Sequence, residues 1–452
     1  MIAPARVAAY EILSAVSAGR DLPAAIAAAR RRLDDERDRA LAAEIATGVQ
    51  RWRSALDHLI VEFSKREIER LDPEIVEILR LSVYQLLHLT RVPASAIVDD
   101  AVDLARRSGK RSAAGFVNAV LRNISRSRQA LPLPPRPADP ADRDAVLAYF
   151  SITLSHPRWL AARWYERLGF DAAEAWLQFD NHPAPLTLRA NRIVLTPENL
   201  ANRLRADGVQ VHRGRFAPDA LIADEGSPLA GRGLEEGWFV VQDEASQLVA
   251  ALAAPRPGSR VLDACASPGG KTTAMAAAMN GDGILVAADV RARRVDLLRK
   301  AVAQTRAANV RIVRADLLAP PFQARFDEVV VDVPCSGLGT LRRDPDIRWR
   351  RGERDLAAFA ATELKMLQRA AEVVAPGGRL LYATCSSEPE ENEGVVDAFL
   401  ASTSQFVPVH AQAAAPHLPV HVIDSRGHLR TEPHRHGLEA FFGAVFERRN
   451  PA

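Results

Sequence analysis

Apolar residues in LDPEIVEILRLSVYQLLHL recur at Ile75, Ile78, Leu79, Leu86 and Leu87, the spacing of one helix face, and Asp72 with Pro73 supplies an N-cap and a first-turn residue. GFVNAVLRNI (Gly115 to Ile124) is a second apolar helix with basic flanks. No alternating β-branched run interrupts residues 1–130, which predicts an all-α domain. LPLPPRPADP (131–140) cannot continue a helix, because proline removes donors and forces extended geometry on its predecessor, so a linker is expected there. From 141 to 237 the pattern mixes tryptophan-bearing helices (Trp159, Trp164, Trp176), a strand at Leu186 to Asn191, a helix near Pro197 to Asp207 and a strand at Val209 to Gly214. This stretch reads as a small α+β module. From 238 to 452 the β-branched runs RVLDAC, GILVAADV, VRIVRAD, FDEVVVDV and GRLLYATC alternate with helical stretches such as Lys271 to Ala278 and Arg293 to Ala308. That alternation predicts an α/β, Rossmann-like domain. FFGAVFERR near the end is expected as a final antiparallel edge strand.

At 452 residues the chain is too long for a single core, which agrees with several domains. It opens MIAPARVAAYEIL without a secretory pattern, and no stretch approaches the roughly 18 apolar residues of a membrane span, so a soluble, cytoplasmic chain with reduced thiols is expected. The net charge of +3 is unevenly placed. Seven basic residues (Arg106, Arg107, Lys110, Arg111, Arg122, Arg126, Arg128) face Asp103 alone between Ala101 and Ala130. Eight face Asp296 between Arg291 and Arg314, and six face three acids between Leu341 and Arg354. One such run is usually a solvated face; three favour a polyanionic partner.

Two of the three cysteines follow buried-strand patterns: Cys335 in DVPCSG after EVVVDV, and Cys385 in YATCSSEPEEN after GRLLYAT. Both thiols should emerge at the carboxyl edge of one sheet, where open α/β folds bind ligands. DACASPGGKTT follows the first strand and opens a helix. Such a glycine-rich turn lets backbone approach a ligand, although it is neither GxGxxG nor a P-loop. The next three strands each finish on an acid, Asp289, Asp316 and Asp332, a set suited to ribose hydroxyls and an adenine amine. Any one of these acids would pass for an ordinary N-cap. His434 and His436 in PHRHG lack the ligand set of a metal site and are expected in a solvated loop.

DACASPGGKT, DVPCSG, RRDPDIRW and ATCSSEPEEN together resemble the Nop/Sun family of RNA cytosine-5 methyltransferases, and the helical domain resembles NusB-like RNA-binding domains. Their fusion is similar to that of the bacterial small-subunit ribosomal RNA methyltransferases. The resemblance implies a class I methyltransferase domain with S-adenosylmethionine contacts on Cys265, Ala266, Ser267, Pro268, Gly269, Gly270, Lys271, Asp289, Asp316 and Asp332. It makes Cys385 the nucleophile and Cys335 the product-release residue, with Asp332 also orienting the base. The implied substrate is an unstacked or single-stranded cytosine of 16S ribosomal RNA, with the module at 141–237 as a further RNA-binding part and the protein acting as a monomer. The sequence departs from the family at Asp344, where histidine is usual, and at Glu439 and Ala440, where Asp-Gly is usual. A transfer-RNA cytosine-5 methyltransferase fits the same catalytic motifs. A non-catalytic NusB-like assembly factor would instead have lost the cofactor turn or a cysteine, and both are kept. A small-molecule methyltransferase would need neither the basic runs nor the helical domain.

Overall fold

The computed structural model describes residues 2–323 and 325–451. They form two compact units, one of residues 1–183 with 341–353, the other of residues 184–340 with 354–452. The sequence pattern groups 141–237 together, whereas the units divide at 183/184, so the tryptophan-bearing helices count with the helical unit.

The helical unit contains α1 (Pro4–Ser17), α2 (Leu22–Arg30), α3 (Glu36–Ser64), α4 (Pro73–His88), α5 (Ala94–Arg107), α6 (Ala114–Ser127), α7 (Arg143–Ala148), α8 (Arg158–Leu168) and α9 (Phe170–Asn181). The periodic residues Ile75, Ile78, Leu79 and Leu86 of α4 are buried in the core shared by α1 to α6, and Leu131 and Leu133 of the proline-rich stretch pack on it. Asp72 precedes α4 but makes no side-chain cap; it pairs instead with Lys110 at 3.2 Å.

Residues 341–353, which chain order places inside the α/β domain, belong to this helical unit. The reason lies in α3, which kinks at Trp52. A kink interrupts the i→i−4 ladder and frees buried backbone groups that need other partners. Ser155 Oγ accepts from the Ser54 N–H at 2.9 Å, Trp349 Nε1–H donates to the Gln50 carbonyl at 2.6 Å, and the Arg348 guanidinium reaches the Arg51 carbonyl at 3.4 Å. Arg348 is fully buried and also donates to the Ser155 carbonyl at 3.0 Å and Asn181 Oδ1 at 3.1 Å. Two members of the basic run at 341–354 are committed within this unit: Arg348 is a buried strut, and Arg342 donates to the Pro183 carbonyl at 2.7 Å while lying over the Phe179 ring. Asp344, the departure from the family motif, is raised to about 6 by burial and by Asp346 beside it.

The second unit holds two sheets. β1 (Leu186–Ala190), β2 (Gln210–Arg213), β3 (Ala220–Glu225) and β4 (Phe239–Val241) form an antiparallel sheet in the order β2-β3-β1-β4, with α10 (Pro197–Ala206) packed against it and α11 (Glu244–Ala253) following β4. The larger sheet contains β5 (Arg260–Asp263), β6 (Ile284–Asp289), β7 (Val310–Arg314), β8 (Phe326–Asp332), β9 (Val374–Thr384), β10 (Phe406–Val409), β11 (Leu429–Thr431) and β12 (Phe441–Arg448). Its order is β10-β12-β9-β8-β5-β6-β7, with β11 paired to β12. Strands β5 to β9 run parallel, and β12 runs antiparallel to both β9 and β10. The FFGAVFERR strand is thus antiparallel as expected but is not an edge. It lies between β9 and β10, and Phe441 to Phe446 are all buried, the pattern of a strand covered on both faces. The same two-sided cover splits β8: Val330 belongs to one core, Val329 and Val331 to the other.

From β5 the chain winds out through β6 and β7, then returns through β8 and β9 on the opposite flank. The order reverses between β5 and β8. A doubly wound sheet opens its ligand crevice at that point, beyond the carboxyl ends of the strands. Among the described residues no helix is long and apolar enough to cross a membrane.

Candidate active site

The glycine turn leaves β5 and enters α12 (Gly270–Ala278), while Asp332 ends β8, so both flank the reversal point. Gly269 has φ +110°, and a Cβ there would lie 3.0 Å from that of Ala301; only glycine suits this backbone beside α13 (Ala292–Thr305). Arg189 of β1, itself buried, donates to the Gly270 carbonyl at 2.6 Å and to Thr273 Oγ1 at 2.8 Å, fixing the start of α12. Behind the turn, burial raises the Asp263 carboxyl to about 7, although it accepts from Thr272 Oγ1 at 2.6 Å. Burial, followed by Asp263, Asp332 and Asp289, pushes the Cys265 thiol far up, which keeps it protonated and unreactive.

The strand-end acids occupy different surroundings. Asp289 is buried at the end of β6 and pairs with Arg294 at 3.2 Å, while Arg294 also donates to the Ser267 carbonyl at 2.7 Å. That arginine ties the turn to the acid and was not singled out in the sequence. Asp316 is exposed beyond β7, and its Oδ1 accepts from the Leu318 N–H at 2.9 Å, the local turn-forming role of many aspartates. Asp332 pairs with Lys271 Nζ at 2.8 Å. Burial lowers the Lys271 ammonium, but Asp332 and then Cys385 outweigh it, so its pKa is raised and it stays charged. Its Nζ lies 5.4 Å from the centroid of the Phe441 ring.

Cys335 Sγ and Cys385 Sγ are 3.3 Å apart, and the Cys385 N–H points at Cys335 Sγ, also at 3.3 Å. Both cysteines are free. The hydrogen bond with Cys385, then burial, then the charges of Cys385 and Glu391 hold the Cys335 thiol well above its ordinary value. Gly339 lies against this pair, its N–H donating to the Cys385 carbonyl at 2.9 Å and its own carbonyl accepting from the Ala440 N–H at 2.9 Å. A Cβ at 339 would come within 2.2 Å of the Ala440 carbonyl oxygen. His436 lies elsewhere with both ring nitrogens engaged, Nδ1 accepting from the Glu432 N–H and Nε2 meeting the His421 carbonyl, each at 2.9 Å.

A glycine turn at a helix start, acids ending adjacent parallel strands and an antiparallel strand inserted beside β9 define a class I methyltransferase domain. Residues 250–447 match the family described as 16S rRNA methyltransferase RsmB/F, residues 3–126 match the NusB family, and residues 156–230 match the ferredoxin-like domain of RsmF/B-like methyltransferases. A probable ribosomal RNA small subunit methyltransferase B of Bacillus subtilis is 32% identical, over 90% of both chains. The ribosomal RNA small subunit methyltransferase B of Pseudomonas putida is 35% identical over 88% of this chain and 89% of its own. The crystal structure of PH0851 superposes with a TM-score of 0.79 at 26% identity, over 99% of each chain. The chain belongs to the RsmB/F family of 16S rRNA methyltransferases.

Proposed function

We propose that the protein transfers a methyl group from S-adenosylmethionine to C5 of a cytosine in 16S ribosomal RNA, through a covalent bond between Cys385 Sγ and C6. The observation that carries this reading is the pair of sulfurs 3.3 Å apart beside the Lys271–Asp332 pair, at the reversal point of the sheet. Cytosine C5 is a poor nucleophile; adding a thiolate to C6 moves electron density onto C5 and splits one difficult step into two. Asp332, held by Lys271, is the acceptor for the N4 amine and for a protonated N3, which steadies the charge on the ring. After methylation C5 loses its proton to water or a neighbouring base, the C6–S bond breaks, and the protonated Cys335 thiol donates to the departing sulfur. The base must leave its stack for attack on its face, so an unpaired or flipped cytosine is the substrate.

The turn from Cys265 to Lys271 with Asp289 and Asp316 fits a nucleoside-bearing cofactor, since backbone N–H groups at the α12 start and carboxylates on neighbouring strands can meet its polar groups. S-adenosylmethionine supplies the methyl group when bound there. The decisive experiment is bisulfite sequencing of 16S and transfer RNA from a strain lacking the gene and from its complemented parent. Loss of one protected 16S cytosine is expected; loss confined to a transfer RNA would replace the substrate assigned here.

RNA binding is assigned to the exposed basic face of α5 and α6. Arg106, Arg107, Arg111, Arg122, Arg126 and Arg128 are exposed there, Arg106 pairing with Asp103 at 3.0 Å, while the less exposed Lys110 is engaged with Asp72 at 3.2 Å and Glu74 at 3.5 Å. Reversing Arg106, Arg107 and Arg111 together should weaken RNA binding and reduce the slope of log K against log salt by about 0.7–0.9 for each phosphate that is no longer neutralised. Filter binding at several salt concentrations checks this, and unchanged affinity with an unchanged slope would leave that face merely solvated.

A further inference from the structure

Beneath the two cysteines lies a group of buried carboxyls that the reaction just described does not use. Glu391 and Glu363 are both fully buried. One oxygen of Glu391 accepts from the Ser336 N–H at 2.6 Å; the other accepts from Ser336 Oγ at 2.6 Å and from Ser386 Oγ. Ser336 directly follows Cys335, and Ser386 directly follows Cys385. One side chain therefore grips both cysteine loops, 50 residues apart in sequence, and the serine hydroxyl oxygens are 3.2 Å from each other. The next residue completes the hold on the Cys385 loop: Asn392 Oδ1 accepts from Thr384 Oγ1 at 2.6 Å, and its Nδ2 donates to the Ser386 carbonyl at 3.1 Å.

A buried carboxylate needs several donors, and Glu391 has three in good geometry. Glu363, on the helix Asp355–Glu372, stands beside it with Tyr382, whose hydroxyl lies 3.1 Å from Glu363 Oε2 and 2.6 Å from the Glu391 carbonyl. Burial, with the charges of Glu391 and Cys335, raises Glu363 to about 10, so Glu363 itself is neutral.

We propose that Glu391 is a positioning residue that sets the separation and mutual orientation of Cys335 and Cys385 by bonding with one carboxylate to the residue after each. The inference rests on the roles given above to the two cysteines. Its consequence is selective: the steps that use both sulfurs should fail while the cofactor turn and the RNA-binding face remain intact, since neither is bonded to Glu391.

The test is single-turnover methyl transfer, with cofactor affinity, RNA affinity and adduct formation on RNA carrying 5-fluorocytidine, which has no C5 proton to lose and so traps the covalent state. Glu391→Gln keeps the shape but replaces an acceptor oxygen with a donor amide facing donors. It should slow transfer and adduct formation at least tenfold while both affinities stay within about twofold of wild type. The double variant Ser336→Ala/Ser386→Ala, which removes the two hydroxyl bonds from the other side, should show the same split and decides the matter if Glu391→Gln does not fold. Glu363→Gln, which replaces a neutral acid with a neutral amide, should lose far less. Wild-type rates in the serine double variant, or cofactor affinity falling in step with activity, would overturn the positioning role. If the wild-type protein itself forms no adduct, the cysteine roles fail instead.

Discussion

Replacing Cys335 with alanine is expected to leave the protein bonded to its RNA, whereas Cys385→Ala should abolish methyl transfer, by on the order of 10³-fold or more, with cofactor binding intact. The two thiols fail in opposite ways because one forms the C6–S bond and the other assists its cleavage. Without the Cys385 sulfur nothing adds to C6. Without Cys335, addition and methylation proceed, and the departing sulfur loses the donor that lies 3.3 Å away in the intact site. The proposed roles agree with the state of one thiol: the hydrogen bond with Cys385, then burial, hold Cys335 protonated, as a donor must be. Denaturing gel electrophoresis with labelled RNA and cofactor reads the result. A slow band for Cys335→Ala, absent for Cys385→Ala and for the double variant, is expected, and the reverse pattern would exchange the two roles.

The second large effect is on stability. Arg348→Ala should destabilise the helical unit by ~3–5 kcal/mol, the range for removing one partner from a buried charged cluster. The guanidinium donates to the Ser155 carbonyl and Asn181 Oδ1 and reaches the carbonyls of Arg51 and Asp180, all of which would be left buried without it. The cost extends to Asp180. Burial lifts its carboxyl to about 7, and Arg348 is the first of the charges that pull it back down. His156 does not substitute, although its Nε2 lies 3.5 Å from Asp180 Oδ2, because burial, the larger cause that lowers its pKa, remains when Arg348 is removed. Arg348→Lys should recover only part of the loss, since an ammonium cannot reproduce the planar fork. Hydrogen exchange across the α3 kink in the intact chain would detect the change, and protection within about 1 kcal/mol of wild type would show that the strut is dispensable.

The positions of the chemistry along the chain are legible in sequence because they depend on near neighbours. Strand periodicity places Cys335 and Cys385 after β8 and β9, and the glycines mark a backbone that must turn sharply into α12. Asp289 and Asp332 are legible as strand ends for the same reason. Arg294, which joins Ser267 to Asp289, carried no local signal of that role, since it sits in a basic run that reads as a surface for a polyanionic partner. Glu391 offered only a hint, an acid six residues after Cys385 in a segment rich in acids.

The sequence by itself determined the succession of a helical domain, a small mixed module and an α/β domain, together with which residues stand at the strand ends. Tertiary structure alone decided what each of them faces. The 3.3 Å between the sulfurs, the Lys271–Asp332 pair, the grip of Glu391 on two distant loops, the interior place of β12 and the assignment of residues 341–353 to the helical unit all join segments far apart in the chain. Periodicity reports which face of an element must be covered, but not by what. A buried polar group or a broken helix ladder must find its partner wherever folding delivers one; Arg348 for the α3 kink and Glu391 for the Cys335 loop are such partners, supplied from outside the segments they hold.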